Sequence, residues 1–366
     1  MKSFRKIICL SAAVMLTACS TPAEQEQTPD ASSATGRDAL KSVTANTYVG
    51  EYGQYVESFT FTFEDGYDAS KLSSSDFTVS ETAKHPSAGH ASFGVYDVTA
   101  DGSAVTVSVD PFLYNDTYTA AAVIDGDTVS FAKADVNEMK VAVVDDFEAL
   151  TTDQGMAYRL YVPESEAPLP LVVTFHGNGE QGTDNYLQMV NNRVTTKWGE
   201  PESQALYKCI VLGPQASQGW SDEELADVRG IIDQLIADGK ADANRIYAAG
   251  LAGFEATIRF AAANTDLLAG VLAMIYWKDF DPDLSTLTDL PIWMTIAEND
   301  FTGEAPHIVE TYEYLTNELG NKNVRYTLFT DDEMASYGLY GGLTHWGWIP
   351  TLNNPEMVDW LFSQHR

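Results

Sequence analysis

Leu171-Val172-Val173-Thr174-Phe175-His176-Gly177-Asn178-Gly179-Glu180-Gln181-Gly182 is the stretch on which the fold turns. Its first five residues form an apolar run broken by one Thr, as suits a strand buried on both faces of a sheet. A glycine-rich loop comes next. Glycine lets the backbone turn sharply and leaves N–H groups pointing at a bound oxygen. Similar runs recur: Ile210 to Leu212, Ile246 to Ala249, Val271 to Ile275, Ile292 to Ile296 and Val324 to Leu328. Ala157 to Pro163 reads as an opening strand. Helical patterns lie between the runs. Leu225, Val228, Ile231, Ile232, Leu235 and Ile236 form one apolar stripe, and Ser221 with Glu224 makes a capping box ahead of it. Pro306 to Leu319 and Pro355 to Gln364 also read as helices. Strands alternating with helices predict a mainly parallel sheet covered on both faces over residues 137–366. Functional loops are then expected at the carboxyl ends of its strands.

Upstream, the pattern changes to period two. Phe59-Thr60-Phe61-Thr62-Phe63 and Val105-Thr106-Val107-Ser108-Val109 alternate as half-buried strands do. Asp101-Gly102 and Asp125-Gly126 read as hairpin turns. Residues 43–134 are therefore expected to form a small antiparallel sandwich, without any Cys to bridge its sheets. Residues 19–42 are rich in Ser, Thr, Ala, Glu, Gln and Pro and read as a disordered tether. Residues 1–18 read as a signal peptide: Lys2, Arg5 and Lys6 precede an apolar run of about ten residues, too short to span a bilayer.

Three resemblances rest on these segments. Leu16-Thr17-Ala18-Cys19 resembles the lipobox of bacterial lipoproteins, which implies lipidation of Cys19 and a cell-envelope location on the extracytoplasmic side of a membrane. The 43–134 segment resembles the immunoglobulin-like domain that precedes the catalytic domain in some bacterial esterases. The glycine loop, taken with Tyr158-Arg159-Leu160-Tyr161-Val162-Pro163, resembles the oxyanion-loop region of α/β-hydrolases. The group it resembles most is secreted esterases with polyhydroxybutyrate-depolymerase-like or feruloyl-esterase-like catalytic domains, and the likeness runs from about residue 155 to the carboxyl end. It implies an α/β-hydrolase fold, a structural role for His176, and an oxyanion hole at Gly177, Asn178 and Gly253.

The same likeness locates a catalytic constellation with one member missing. Arg245-Ile246-Tyr247-Ala248-Ala249-Gly250-Leu251-Ala252-Gly253-Phe254 occupies the place of the G-x-S-x-G elbow. Ala252 stands where the nucleophilic Ser belongs and Phe254 where the second Gly belongs, through divergence or a one-residue deletion. Thr257 is the nearest hydroxyl, and a mid-helix Thr more often bonds its own backbone. Asp300, just past the strand Ile292 to Ile296, takes the place of the acid, ahead of Glu298. His345, in Thr344-His345-Trp346-Gly347-Trp348-Ile349-Pro350, takes the place of the base, and the order nucleophile, acid, His is that of the fold. His85, His90 and His307 show no metal-ligand spacing, so neither a metal nor another cofactor is expected.

Composition narrows the functions further. The chain has 366 residues, 45% hydrophobic and 20% charged, with 21 Lys plus Arg against 53 Asp plus Glu. Its formal charge of −32 repels phosphate backbones and excludes nucleic acid as a natural partner. Of three Cys, only Cys209 lies outside the leader and lipobox, in an apolar run that marks it as a buried structural thiol. Loss of a triad Ser costs about 10⁶ in kcat, with about 10³ to 10⁴ left over water. Three readings are then open. The first is a non-catalytic or very weak homologue that binds an ester, carboxylate or glycan-linked ligand. The second is an active carboxylic ester hydrolase with a His345-activated water or a remodelled elbow. The third is a surface interaction protein that uses the β-sandwich domain.

Overall fold

A computed structural model of the protein describes residues 39–81, 95–114, 118–124, 126–132, 136, 138–251, 253–275 and 283–366. Cys19, the leader, most of the tether, His85, His90, Asp125 and Ala252 lie outside the described residues, as does the Phe254 side chain.

The amino-terminal region is built from β1 (Leu40–Gly50), β2 (Gly53–Phe63), β3 (Phe77–Glu81), β4 (Val95–Asp101), β5 (Ala104–Leu113), β6 (Tyr118–Ile124), β7 (Asp127–Ala132) and β8 (Glu138–Val141). They form a five-stranded sheet in the order β4-β5-β2-β1-β8 and a three-stranded sheet in the order β3-β6-β7. The alternation in β2 sends Phe59, Phe61 and Phe63 inward. There they meet Val105 and Val107 from β5, and Phe77, Ala122 and Ile124 from the smaller sheet, in one apolar core. All pairs are antiparallel except β1 with β8, which is parallel. β8 thus lies beyond the boundary drawn at residues 134–137 from the sequence, yet it completes the first sheet.

The second region has an eight-stranded sheet in the order β16-β15-β14-β13-β11-β12-β10-β9. Its strands are β9 (Glu148–Thr151), β10 (Ala157–Tyr161), β11 (Leu169–Phe175), β12 (Ile210–Gln215), β13 (Ala241–Gly250), β14 (Gly270–Met274), β15 (Ile292–Ala297) and β16 (Val324–Phe329). From β12 through β11 to β16 every pair is parallel, and β9 and β10 are antiparallel additions. The continuous apolar runs serve two cores at once. Leu171, Val173 and Phe175 face one side with Ile246 and Ala248, and Val172 faces the other with Tyr247 and Ala249. The helix Asp222–Ala237 lays Leu225, Val228, Ile232 and Leu235 on the first core. Its capping box is present, with the Glu224 N–H donating to Ser221 Oγ at 3.1 Å and the Ser221 N–H to Glu224 Oε2 at 3.0 Å. No helix among the described residues is long and apolar enough to cross a membrane.

The two regions are joined by more than the chain. Val49 of β1 and Val141 of β8 enter the second core, beside Val144 and Val190. The β1–β2 turn at Glu51-Tyr52 projects onto the parallel sheet's domain.

Candidate functional site

Asp300 and His345 meet beyond the carboxyl end of β15. His345 ends a short turn of helix, Gly341–His345, and Asp300 ends the tight turn after β15. His345 Nδ1 lies 2.8 Å from Asp300 Oδ2. The Asp300 side chain is fully buried, while the imidazole is 23% exposed. Burial raises the Asp300 carboxyl, but the bond from His345 and the bonds from Thr302 outweigh it, and the group sits below the ordinary carboxylate range. Thr302 donates its N–H at 2.9 Å and its hydroxyl at 2.7 Å, both to Oδ1. In the neutral imidazole, this carboxylate holds the proton on Nδ1 and leaves Nε2 as the acceptor. Thr344 fixes the approach to the pair by donating its hydroxyl to the Asn299 carbonyl at 3.0 Å. Phe301 and Trp348 flank the imidazole, with ring centroids 4.9 and 6.3 Å away. Glu298, the rival acid, instead accepts from the Asp331 N–H at 3.3 Å.

The glycine loop comes off β11 on the same side of the sheet, since β11, β13 and β15 are parallel and these loops all leave from carboxyl ends. His176 is buried, accepts the Ala216 N–H on Nε2 at 2.9 Å, and donates from Nδ1 to the Gly177 carbonyl at 2.7 Å. Burial pushes it down to about 4, so it is a neutral brace for the loop. The Gly177 N–H donates to Glu180 Oε2 at 2.9 Å. Of the expected trio Gly177, Asn178 and Gly253, Gly177 therefore has its donor turned to a buried carboxylate. Asn178 is exposed at the start of the turn Asn178–Glu180.

Gly250 shows why the elbow needs glycine at its first position. A Cβ there would lie 2.4 Å from Thr257 Oγ1 and 2.8 Å from the Phe175 carbonyl oxygen. Strand and helix cross in contact, and the Leu251 N–H donates to that same Phe175 carbonyl at 3.1 Å. The helix after the elbow opens with a wide π turn, Gly253–Ile258, before it tightens at Arg259–Ala263. Thr257 is fully buried behind Gly250 and its hydroxyl is closed off from solvent. Among the described residues no three His, Cys, Asp or Glu side chains gather into a metal site. His307 is half exposed and bonded to Glu310 at 2.9 Å. Cys209 is buried, its thiol pushed up to about 12 by burial.

Two groups of residues near the site were not visible in the sequence. Glu180 carried no signal beyond its place in the loop. Tyr52 and Glu51 stand in a different domain, and nothing in their local pattern points to residues 337–353.

No family model matches the sequence, and no curated protein does. Solved structures do. A thermostable esterase superposes with a TM-score of 0.68 at 29% identity, covering 89% of this chain and 100% of its own. That share is larger than the parallel-sheet domain alone supplies, so the likeness extends into the amino-terminal sheets. The acylaminoacyl peptidase of Pyrococcus horikoshii matches at 15% identity with a TM-score of 0.40, over 67% of this chain and 46% of its own. A 2,6-dihydroxy-pseudo-oxynicotine hydrolase matches at 15% identity with a TM-score of 0.40, over 59% and 66%. The parallel-sheet domain has the α/β-hydrolase fold, and the likeness that spans nearly the whole chain is to an esterase.

Proposed function

We propose that this chain is a cell-surface lipoprotein whose hydrolase-fold domain binds an ester, a carboxylate or a glycan-linked ligand beside His345, with little or no turnover. One observation carries the reading. An intact Asp300–His345 pair, 2.8 Å apart, stands in a chain whose elbow position is Ala252 and whose nearest hydroxyl, Thr257, is buried. A maintained pair without an attacking atom suits recognition better than acyl transfer. The amino-terminal sheets are read as an immunoglobulin-like domain that sets the site off from the membrane, with lipidated Cys19 as the anchor. Stable anchoring needs more than one acyl chain, as a multiply acylated Cys supplies. Cys19→Ala is expected to release the protein from membranes or leave an uncleaved precursor; unchanged membrane retention refutes the anchor.

The deciding experiment titrates the protein with short-chain carboxylates and alcohols and measures turnover of short-chain nitrophenyl esters in parallel. Saturable binding without turnover supports the reading. The second reading, an active hydrolase that uses a His345-activated water, is favoured by the partly exposed imidazole backed by a buried carboxylate. It requires turnover that disappears in His345→Ala.

A further inference from the structure

The β1–β2 turn touches both halves of the site, and it belongs to the other domain. On the His345 side, Tyr52 Oη donates to the Tyr337 carbonyl at 2.6 Å. Its ring lies 5.7 Å from Trp346, which adjoins His345 and stacks on Trp348 at 5.6 Å. Gly338, at φ +73°, leaves room for this contact, since a Cβ there would meet Tyr52 Oη at 3.1 Å. Glu51 accepts from Asn353 Nδ2 at 2.9 Å, at the end of the helix Trp348–Leu352.

On the glycine-loop side, Glu51 also pairs with Arg193, whose guanidinium holds Glu200 at 2.7 and 2.8 Å. Tyr186 Oη donates to Gln54 Oε1 at 2.7 Å. Gly53, at φ +120°, lies so close to Asn191 that a Cβ would sit 3.4 Å from its carbonyl oxygen. Asn191 Nδ2 in turn donates to the Gly179 carbonyl at 3.1 Å, and Asn192 Nδ2 to Glu180 Oε1 at 3.1 Å. Glu180 is the residue that holds the Gly177 N–H. One carboxylate, Glu51, thus bridges an arginine behind the glycine loop and an asparagine behind the His345 loop.

We propose that the β1–β2 turn is a clasp between the two halves of the site, and that Tyr52 is a positioning residue for the loop that carries His345. The inference rests on reading His345 as a ligand-site residue. It goes beyond that reading by making the amino-terminal domain part of the site's architecture. Neither half is held by Tyr52 through the ligand; the clasp acts on backbone carbonyls and ring packing. Positioning of this kind matters because a displacement of about 1 Å is enough to spoil a site.

The test uses the full chain, with Tyr52→Phe, which removes only the hydroxyl, and Tyr52→Ala, which also removes the ring. The ring Cε1–H resonance of His345, assigned with His345→Gln, is followed by NMR, and butyrate binding is measured by titration. Tyr52→Phe is expected to move the His345 resonance while those of His307 and His365 stay in place. It should weaken butyrate about fivefold, the worth of one net hydrogen bond. Tyr52→Ala should do more on both counts. An unmoved His345 resonance in folded Tyr52→Ala overturns the clasp. If that variant does not fold, the same reading in Tyr52→Phe decides. If wild type does not bind butyrate, the ligand reading fails, while the resonance still decides the clasp.

Discussion

Asp300→Asn separates binding from base chemistry at this site. Asp300 accepts three hydrogen bonds in a fully buried position: His345 Nδ1 at 2.8 Å, the Thr302 N–H at 2.9 Å and the Thr302 hydroxyl at 2.7 Å. Asparagine keeps the shape and can keep its carbonyl toward Thr302. Its amide then faces His345, so the imidazole must turn its proton to Nε2 and accept on Nδ1. Every group stays paired, but charge-assisted bonds become neutral ones, a loss of about 1–2 kcal/mol. Asp300→Ala instead leaves three partly buried donors without their acceptor and is expected to cost about 3 kcal/mol. The pH dependence has a definite sign. The folded Asp300 carboxyl lies below its ordinary value, so its contribution is present above the unfolded pKa of about 4 and is lost as pH falls through the folded value. The gap between wild type and Asp300→Asn should therefore narrow as pH falls below about 4. All seven Trp lie at or beyond Trp198, so denaturant unfolding followed by Trp fluorescence reports on the hydrolase-fold domain alone. Any hydrolysis by a His345-activated water should fall about 10⁴-fold in Asp300→Asn, because Nε2 no longer accepts a proton. Nε2–H in Asp300→Asn instead donates, so a carboxylate ligand that accepts from it should still bind. A stability gap that persists unchanged to pH 3, or unchanged turnover in Asp300→Asn, refutes this account of the pair.

Gly250→Ala should destabilise the domain by about 1–3 kcal/mol, since its Cβ would overlap Thr257 Oγ1 and the Phe175 carbonyl; a melting temperature within a degree of wild type contradicts the close crossing. Ala252→Ser alone should leave ester hydrolysis near background, and Ala252→Ser with Phe254→Gly should exceed the product of the single changes in kcat/KM; typical esterase turnover from Ala252→Ser alone shows that only the nucleophile had been lost. Cys209, buried with its thiol pushed up to about 12, should resist aromatic disulfide reagents in the folded protein and react on unfolding; prompt reaction at pH 8 contradicts its burial.

Much of the parallel sheet was legible because strands buried on both faces need unbroken apolar runs. Leu171 to Phe175 and Ile292 to Ile296 stand out from any helix by their shortness and by the polar loops at their carboxyl ends. Asp300 and His345 were legible through chain order and position after strands, which the fold restricts. β8 was not, since Glu138-Met139-Lys140-Val141 is four residues long and carries no turn signal naming β1 as its partner. Nor was the capture of the Gly177 N–H by Glu180, because a loop acid reads as solvated until packing buries it. The contact of Tyr52 with Tyr337 spans 285 residues, and periodicity carries no information about pairs so distant.

The clasp also has a place in time. A chain made from its amino end completes Glu51 and Tyr52 early, and the core around Phe59, Phe61 and Phe63 is drawn entirely from residues up to Val136. Arg193 comes later, Tyr337 and Trp346 later still, and Asn353 close to the end. Domains generally fold as units, the first-made first. The turn therefore waits, with Glu51 and Tyr52 short of their later partners, until almost the whole chain exists. A truncated chain that ends before Tyr337 leaves Tyr52 without its carbonyl partner and Glu51 without Asn353, so an unfinished molecule does not present a finished site.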